Sequence, residues 1–372
     1  MLIAIFGTGR NGSSLLTRLL DGISGVYTHS AEVNFLSAIN DLALKPWVSR
    51  AVRMNATIKP LTNLDKPVKT QRLIKRYTSQ INEIVNDYAV ELKEQDRLTL
   101  GKDPLLKLKE KPNYIASDFV PEFFKIVSHW VDSKATTNHH IFKTIETPYT
   151  EDYQRLFPDM KFLHLIRDPL DTYSSQKRTL LYKKCPSWYL GKDNLDTMIM
   201  KRWIPHARAI SKNKESPNHY LVRYEDLVKR PKEIIEGICN WLNLPLPGQP
   251  TKQTVFGGKI LNRSPQRPSQ EGVEAPMEVT SGMKDKFKYK KVMTNCEREL
   301  ITYLTYDYAK ELGYFKDIPL PKCGAIIKKW IIPKKWEFAN NSNIFRLGLS
   351  FLKLFQRRFI FLNSLYRRCL SN

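Results

Sequence analysis

The chain is short of acid. It carries 37 Asp and Glu against 60 Lys and Arg, a formal net charge of +23. Its partners are therefore expected to be anionic: nucleic acid, anionic lipid, sulfated or phosphorylated glycans, or a polyanionic cofactor. Sulfur is scarce as well. The five cysteines, at positions 185, 239, 296, 323 and 369, are odd in number, scattered, and include no C-x-x-C pair. That argues against a disulfide scaffold and against a cysteine zinc site. His129, His139, His140 and His164 stand at no ligand spacing, so no metal is expected. No apolar run reaches the roughly 18 residues that a membrane span requires. Met1 leads directly into a strand-like run with no basic n-region or cleavage site, so a cytoplasmic protein is expected.

What the chain does have is a compact anion motif at its start. The apolar run Leu2–Phe6 fits a buried strand, and Leu15, Leu16, Leu19 and Leu20 recur at helical spacing. Between them lies Gly7-Thr8-Gly9-Arg10-Asn11-Gly12-Ser13-Ser14. Glycines let backbone N–H groups approach a ligand, and a helix N-terminus favours negative charge. The register Gly7-x4-Gly12-Ser13-Ser14 matches a nucleotide P-loop except that Ser13 occupies the lysine position. That lysine serves the γ-phosphate of a nucleoside triphosphate. Its absence, with a cation moved to Arg10, points away from ATP and GTP and toward another phosphate-bearing donor. The competing reading is a tight βα turn that binds nothing.

Further strand patterns fall at 140–143, 161–167 and 220–224, alternating with helices such as Pro231–Leu242. Alternation of this kind predicts an α/β fold with a mostly parallel central sheet and flanking helices. Residues 1–321 are expected to form one domain, with an α-helical insertion over about 45–135 that shapes an acceptor pocket. Residues 245–290, rich in Pro, Gly, Lys and Gln, predict a long functional loop, and 291–314 a return to helix. The tail, 322–372, holds eleven Lys and Arg against the single acid Glu337. Its apolar positions, among them Phe345, Leu349, Leu352, Phe355 and Phe359, alternate with arginine and lysine. It reads either as an interfacial helix docking peripherally to an anionic membrane or as a terminal helix packed on the core.

A second anion site is expected at Arg167, where a strand runs into Arg167-Asp168-Pro169-Leu170-Asp171-Thr172-Tyr173-Ser174-Ser175. Arg167 offers a bidentate fork and Ser175 a hydroxyl, enough to clamp one phosphate from two sides. Two phosphate sites at one sheet edge suit a nucleotide phosphorylated at both ends.

These two motifs together resemble those of the sulfotransferases that use 3′-phosphoadenosine 5′-phosphosulfate, especially the tyrosylprotein, bacterial and glycan branch. The family's P-R-S-G-T-[ST]-L-[LM] is similar to Gly9–Leu16, its R-D-P-x-D-x-x-x-S to Arg167–Ser175, and its Y-E-D-L to Tyr224–Leu227. The resemblance covers about 1–44 and 139–314 and implies a P-loop-like sulfotransferase fold. It implies in-line transfer of a sulfonate to an acceptor hydroxyl, with 3′,5′-bisphosphoadenosine as product and no metal required. By the same resemblance, Gly9, Arg10, Asn11, Gly12, Ser13 and Ser14 hold the 5′-phosphate, Arg167 and Ser175 the 3′-phosphate, and Tyr224 lies near the adenine. Glu32 is the implied general base, with His29 as its rival; Lys143 and Ser264 are placed to stabilise the transferred group. Lys284–Lys291 reads either as a cationic lid or as a solvated face. The acceptor class (glycan, lipid, peptide or small molecule) is not encoded in any motif. A P-loop nucleotide kinase or NTPase is the alternative enzyme; nucleic-acid binding has only the net charge behind it and is not expected.

Overall fold

A computed structural model describes residues 1–43, 61, 63–88, 104–131, 137–182, 195–248, 250–255, 259–260 and 292–322. They belong to two compact units, Met1–Arg167 with Pro205–Asp285, and Asp168–Ile204 with Lys286–Asn372. In chain order come β1 (Leu2–Phe6), α1 (Ser13–Leu19), β2 (Val26–Glu32), α2 (Phe35–Ala43), β3 (Val68–Lys69) and α3 (Thr70–Tyr88). After a 3-10 segment, Pro104–Glu110, follow β4 (Asn113–Tyr114), α4 (Ala116–Val131), β5 (His139–Thr144), α5 (Thr150–Leu156) and β6 (Lys161–Ile166). Then come α6 (Pro169–Tyr182), a π-helical stretch Asp196–Trp203, α7 (Ile204–Asn213), β7 (His219–Arg223), α8 (Tyr224–Lys229) and α9 (Pro231–Leu242). The short pair β8 (Thr254–Val255) and β9 (Lys259–Ile260) precedes α10 (Asn295–Glu311).

In the first unit, five strands form one parallel sheet in the order β2-β5-β1-β6-β7. Parallel sheets are covered on both faces, which is why β1 reads as an unbroken apolar run. Ile3 and Ile5 of β1, with Leu163 and Leu165 of β6, meet Leu16 and Leu19 of α1 and Ile235, Ile238 and Leu242 of α9. Ala4, Phe6, Phe142 and Phe162 look the other way, into the helices of the insertion. There Phe35 stacks on Tyr77 at 5.4 Å and meets Phe123, Phe124 and Phe142 edge-on at 5.2–5.7 Å. A fully buried aromatic of this size contributes about 2–3 kcal/mol. Such rings make the described part of the insertion a layer of the core rather than a surface appendage.

The strands expected at 140–143, 161–167 and 220–224 are present to within one or two residues, and Tyr224 opens α8 instead of ending β7. Strand β2 has no counterpart among the expected elements. Its residues Thr28, His29 and Ser30 look like loop by type, yet Thr28 and His29 are buried against β5. The register runs Val26↔His139, Tyr27↔His140, Thr28↔Ile141 and then jumps to Glu32↔Lys143 across a bulge.

The second unit is fastened by one carboxylate. Glu297 completes a capping box with Thr294 at the start of α10, and it also receives Lys177 Nζ (2.7 and 2.8 Å) and the Tyr173 hydroxyl (2.6 Å) from α6. Helix α6 has its own cap: Asp168 Oδ1 accepts from the N–H groups of Leu170 (2.8 Å) and Asp171 (3.1 Å).

A directional hydrogen-bond chain crosses the first unit. Asn213 Nδ2 donates to the Ala209 carbonyl (2.8 Å), so Asn213 Oδ1 faces Gln154 Nε2 (3.3 Å), which also donates to His219 Nε2 (2.7 Å). His219 Nδ1 must then donate to His164 Nε2 (2.8 Å), and His164 Nδ1 to His206 Nε2 (3.2 Å). Only neutral imidazoles can hand the bond along in this way. Burial lowers His206 to about 3 and His219 to about 4, and holds His164 well below its usual range. Burial also takes His29 down to about 3, with the charge of Lys143 adding to the effect. Because these rings are neutral when folded but accept protons near pH 6.5 when unfolded, their stabilisation is complete above about 6.5 and is lost as pH falls. Each costs about 1.4 kcal/mol per pH unit over that window. The urea midpoint is expected to stay level from about pH 8 to 7 and to drop steeply from about pH 6 to 5. A midpoint unchanged down to about pH 5 contradicts the neutral chain.

Candidate functional site

The site is built where β1 ends. Gly9 (φ 75°), Arg10 (φ 58°) and Gly12 (φ 95°) all lie in the left-handed region, a backbone shape that turns successive N–H groups toward one concavity. Arg10 takes this conformation without being glycine, at about 1–2 kcal/mol, and its side chain is exposed. Helix α1 starts at Ser13 behind Gly12, which has no side chain to cap it, and the Ser13 N–H donates to Asn11 Oδ1 (3.4 Å).

Two glycines are required by contact. A Cβ on Gly7 would stand 2.3 Å from the Asn11 amide, which is buried beneath the loop and donates to the Leu165 carbonyl of β6. A Cβ on Gly12 would stand 2.4 Å from the Tyr224 ring. The same ring carries the Arg167 guanidinium, 4.3 Å from its centroid. Tyr224 thus joins the loop after β1 to the arginine at the end of β6, a cation–π stack that fixes where the guanidinium sits.

On the opposite flank, Lys143 of β5 donates from Nζ to Ser14 Oγ (2.8 Å), and its carbonyl accepts from Val33 N–H (3.0 Å). Glu32, exposed at the end of β2, is the strand partner of Lys143. His29 is placed differently. It is fully buried, bonded through Nδ1 to the Tyr27 hydroxyl (3.0 Å), and flanked edge-on by Phe123 and Phe124, both at 5.7 Å.

The first unit therefore gathers Gly9, Arg10, Asn11, Gly12, Ser13, Ser14, Glu32, Lys143, Arg167 and Tyr224 at the carboxyl ends of β1, β2, β5, β6 and β7. Chain order reverses between β1 and β6, and open α/β sheets bind their ligands at that crevice. Ser175 is half-buried on α6 in the second unit. Ser264, Lys284–Lys291 and residues 323–372 lie outside the described residues. Among the described residues no His, Cys, Asp and Glu cluster could hold a metal, and no helix is long and apolar enough to cross a membrane.

The sulfotransferase family model matches residues 3–248. This chain belongs to the sulfotransferase family. Carbohydrate sulfotransferase 1 of Homo sapiens and that of Rattus norvegicus are each 30% identical to it over 124 residues, which is 29% of this chain and 30% of theirs. The chain thus matches about a third of the length of these curated relatives. Among solved structures, the sulfotransferase domain from the curacin biosynthetic pathway aligns with 86% of this chain and 98% of its own, at 16% identity and a TM-score of 0.45.

Two features beside these residues escape the sequence motifs. The Asn11 side chain faces inward as a structural tie, although the motif offers it only as part of the anion loop. Glu146, three residues beyond Lys143, is buried with its carboxylate bonded to α2. Its surroundings, Ile145-Glu146-Thr147-Pro148, carry no sequence signal of this role.

Gly12→Ala is expected to cost about 1–2 kcal/mol from the left-handed backbone alone, plus the displacement of Tyr224. In a Tyr224→Ala background the same change should cost only the backbone part. Melts of the four variants test this, and equal costs in both backgrounds would sink the Gly12–Tyr224 contact.

Proposed function

We propose that this protein transfers the sulfonate of 3′-phosphoadenosine 5′-phosphosulfate to an acceptor hydroxyl. The observation that carries the reading is Glu32 in strand register with Lys143 beside a left-handed glycine loop that has no P-loop lysine. The residues fit the donor: three positive-φ residues shape the loop, and Arg167 is held on Tyr224 at the neighbouring strand end. Arg10 and the loop N–H groups would take the 5′-phosphate and Arg167 the 3′-phosphate. The part assigned to Ser175 rests on its place in the sequence motif.

When bound, the donor supplies the activated sulfonate. Glu32 accepts the proton of the acceptor hydroxyl, which raises the nucleophilicity of its oxygen. Lys143, fixed by Ser14, offers its ammonium to negative charge that grows during transfer. Arg10 and the loop amides steady the charge left on the departing phosphate. His29 is sealed among phenylalanines, and its lowered pKa leaves it a poor proton acceptor at neutral pH. That placement favours Glu32. Family membership and the missing loop lysine weigh against a nucleotide kinase. The relatives' names make a glycan hydroxyl the first acceptor class to assay, before lipid, peptide or small molecule. Docking of the basic tail, 322–372, to an anionic membrane surface is proposed on its pattern of basic and apolar residues alone.

The reading is tested by following radiolabelled sulfonate from the donor into a panel of hydroxyl acceptors. Glu32→Gln should lower kcat by about 10²–10⁴ with donor affinity kept; near wild-type turnover, alongside a dead His29→Ala, would give the role to His29. Arg167→Ala should weaken 3′,5′-bisphosphoadenosine by about 2–4 kcal/mol in calorimetry. Unchanged affinity there removes the second anion site.

A further inference from the structure

Helix α2 begins at Phe35, which makes Asn34 its N-cap. An N-cap asparagine ordinarily accepts from the second or third helical N–H. Here Asn34 Oδ1 accepts from the Thr144 hydroxyl (3.1 Å) instead. The N–H groups of Leu36 (3.1 Å) and Ser37 (2.7 Å) go to Glu146, 110 and 109 residues away. Glu146 is 4% exposed, and its Oε2 also accepts from the Tyr153 hydroxyl (2.6 Å). Burial pushes its carboxyl up, and the hydrogen bonds from α2 and Tyr153 pull the other way. The positive end of a helix dipole likewise favours the charged form.

Glu146 is therefore a long-range cap, and its place in the chain gives it a second consequence. The exit of β5 is joined to the exit of β2 at successive levels. Lys143 pairs with Glu32 and accepts from Val33, Thr144 holds Asn34, and Glu146 holds Leu36 and Ser37. Upstream the ladder is broken, because the bulge between Thr28 and Glu32 interrupts the register. The position of Glu32 is consequently not passed along β2 from the sheet interior. Its backbone is held by the local register with Lys143 and, on the downstream side, by the junction that Glu146 clamps.

We infer that Glu146 is a positioning residue for Glu32, holding the β2–α2 junction so that the Glu32 carboxylate is presented beside Lys143. The inference rests on the reading of Glu32 as the general base. Glu146→Gln keeps the shape but turns an amide NH₂ toward a donor, so at least one α2 N–H or the Tyr153 hydroxyl loses its acceptor. Misplacing a reacting group by about 1 Å can cost about 10² in rate. Glu146→Gln is expected to lower kcat about 10- to 100-fold with donor KM unchanged. In a Glu32→Gln background it should lower kcat no further, because the group it positions is already gone. Tyr153→Phe, which removes one of the three donors and nothing from α2, should show a smaller fall with the same lack of additivity, and it carries the test if Glu146→Gln does not fold. A wild-type kcat in Glu146→Gln, a fall that multiplies fully with Glu32→Gln, or an equal rise in donor KM would overturn the inference while leaving the base reading intact. Near wild-type turnover in Glu32→Gln alone overturns the base reading, and this inference with it.

Discussion

A single buried amide constrains the anion loop. Asn11 lies under the loop, donates to the Leu165 carbonyl of β6, and takes the space that a side chain at position 7 would need. Leaving that carbonyl without its donor costs about 1–3 kcal/mol, similar to the cost of the left-handed backbone at Arg10. With Asn11 turned in, its neighbour Arg10 is turned out, so the strain at Arg10 and the burial of Asn11 are two sides of one chain path. On the other side, Gly7 N–H donates to the Thr144 carbonyl of β5 (3.1 Å). The loop after β1 is therefore tied to both strands that flank β1.

That double tie explains why the cations stand where they do. Arg10 follows β1, Lys143 ends β5 and Arg167 follows β6, so three neighbouring strands each bring one cation to the same edge. Each cation has a local restraint: backbone shape for Arg10, Ser14 for Lys143, the Tyr224 ring for Arg167. Long basic side chains lose roughly 2 kcal/mol of rotamer freedom when fixed, and restraints already made in the fold lessen what a ligand must supply. Tyr224 serves two of these sites, since the ring that carries Arg167 also presses on Gly12.

Much of this was legible in the sequence, and what was not has physical causes. Strand β1, the glycine loop, α1 and α9 announce themselves through apolar spacing and turn residues. The cations at 10, 143 and 167 could be found because a motif records local chain order. Strand β2 was hidden because its buried face uses Tyr27 and His29, whose polarity resembles that of a loop. The histidine chain was equally hidden: metal-ligand spacing is a rule about sequence, whereas His164, His206 and His219 meet across β6, α7 and β7. Glu146 caps a helix about a hundred residues upstream, and no local pattern can join an acceptor to donors that far away.

Strand β2 also shows how one element can serve core and site together. Side chains alternate along a strand, so Tyr27, His29 and Ala31 share a face, and Tyr27 and Ala31 belong to the aromatic cluster beneath the insertion. A strand that continued regularly would keep its end in step with this face. Here four steps of β2, Thr28 to Glu32, run against two of β5, Ile141 to Lys143, so the ladder is interrupted while the alternation of side chains is kept. Positions 29 and 32 differ by an odd number, so alternation itself sends the imidazole and the carboxylate to opposite environments: His29 is neutral and enclosed, and Glu32 is exposed. The bulge removes the upstream ladder between Thr28 and Glu32, so beyond its local register with Lys143 the position of Glu32 is supported from the helix that follows. A long-range cap on α2 meets that need, because only Val33 and Asn34 separate Glu32 from the first turn of α2, and both are themselves bonded to β5.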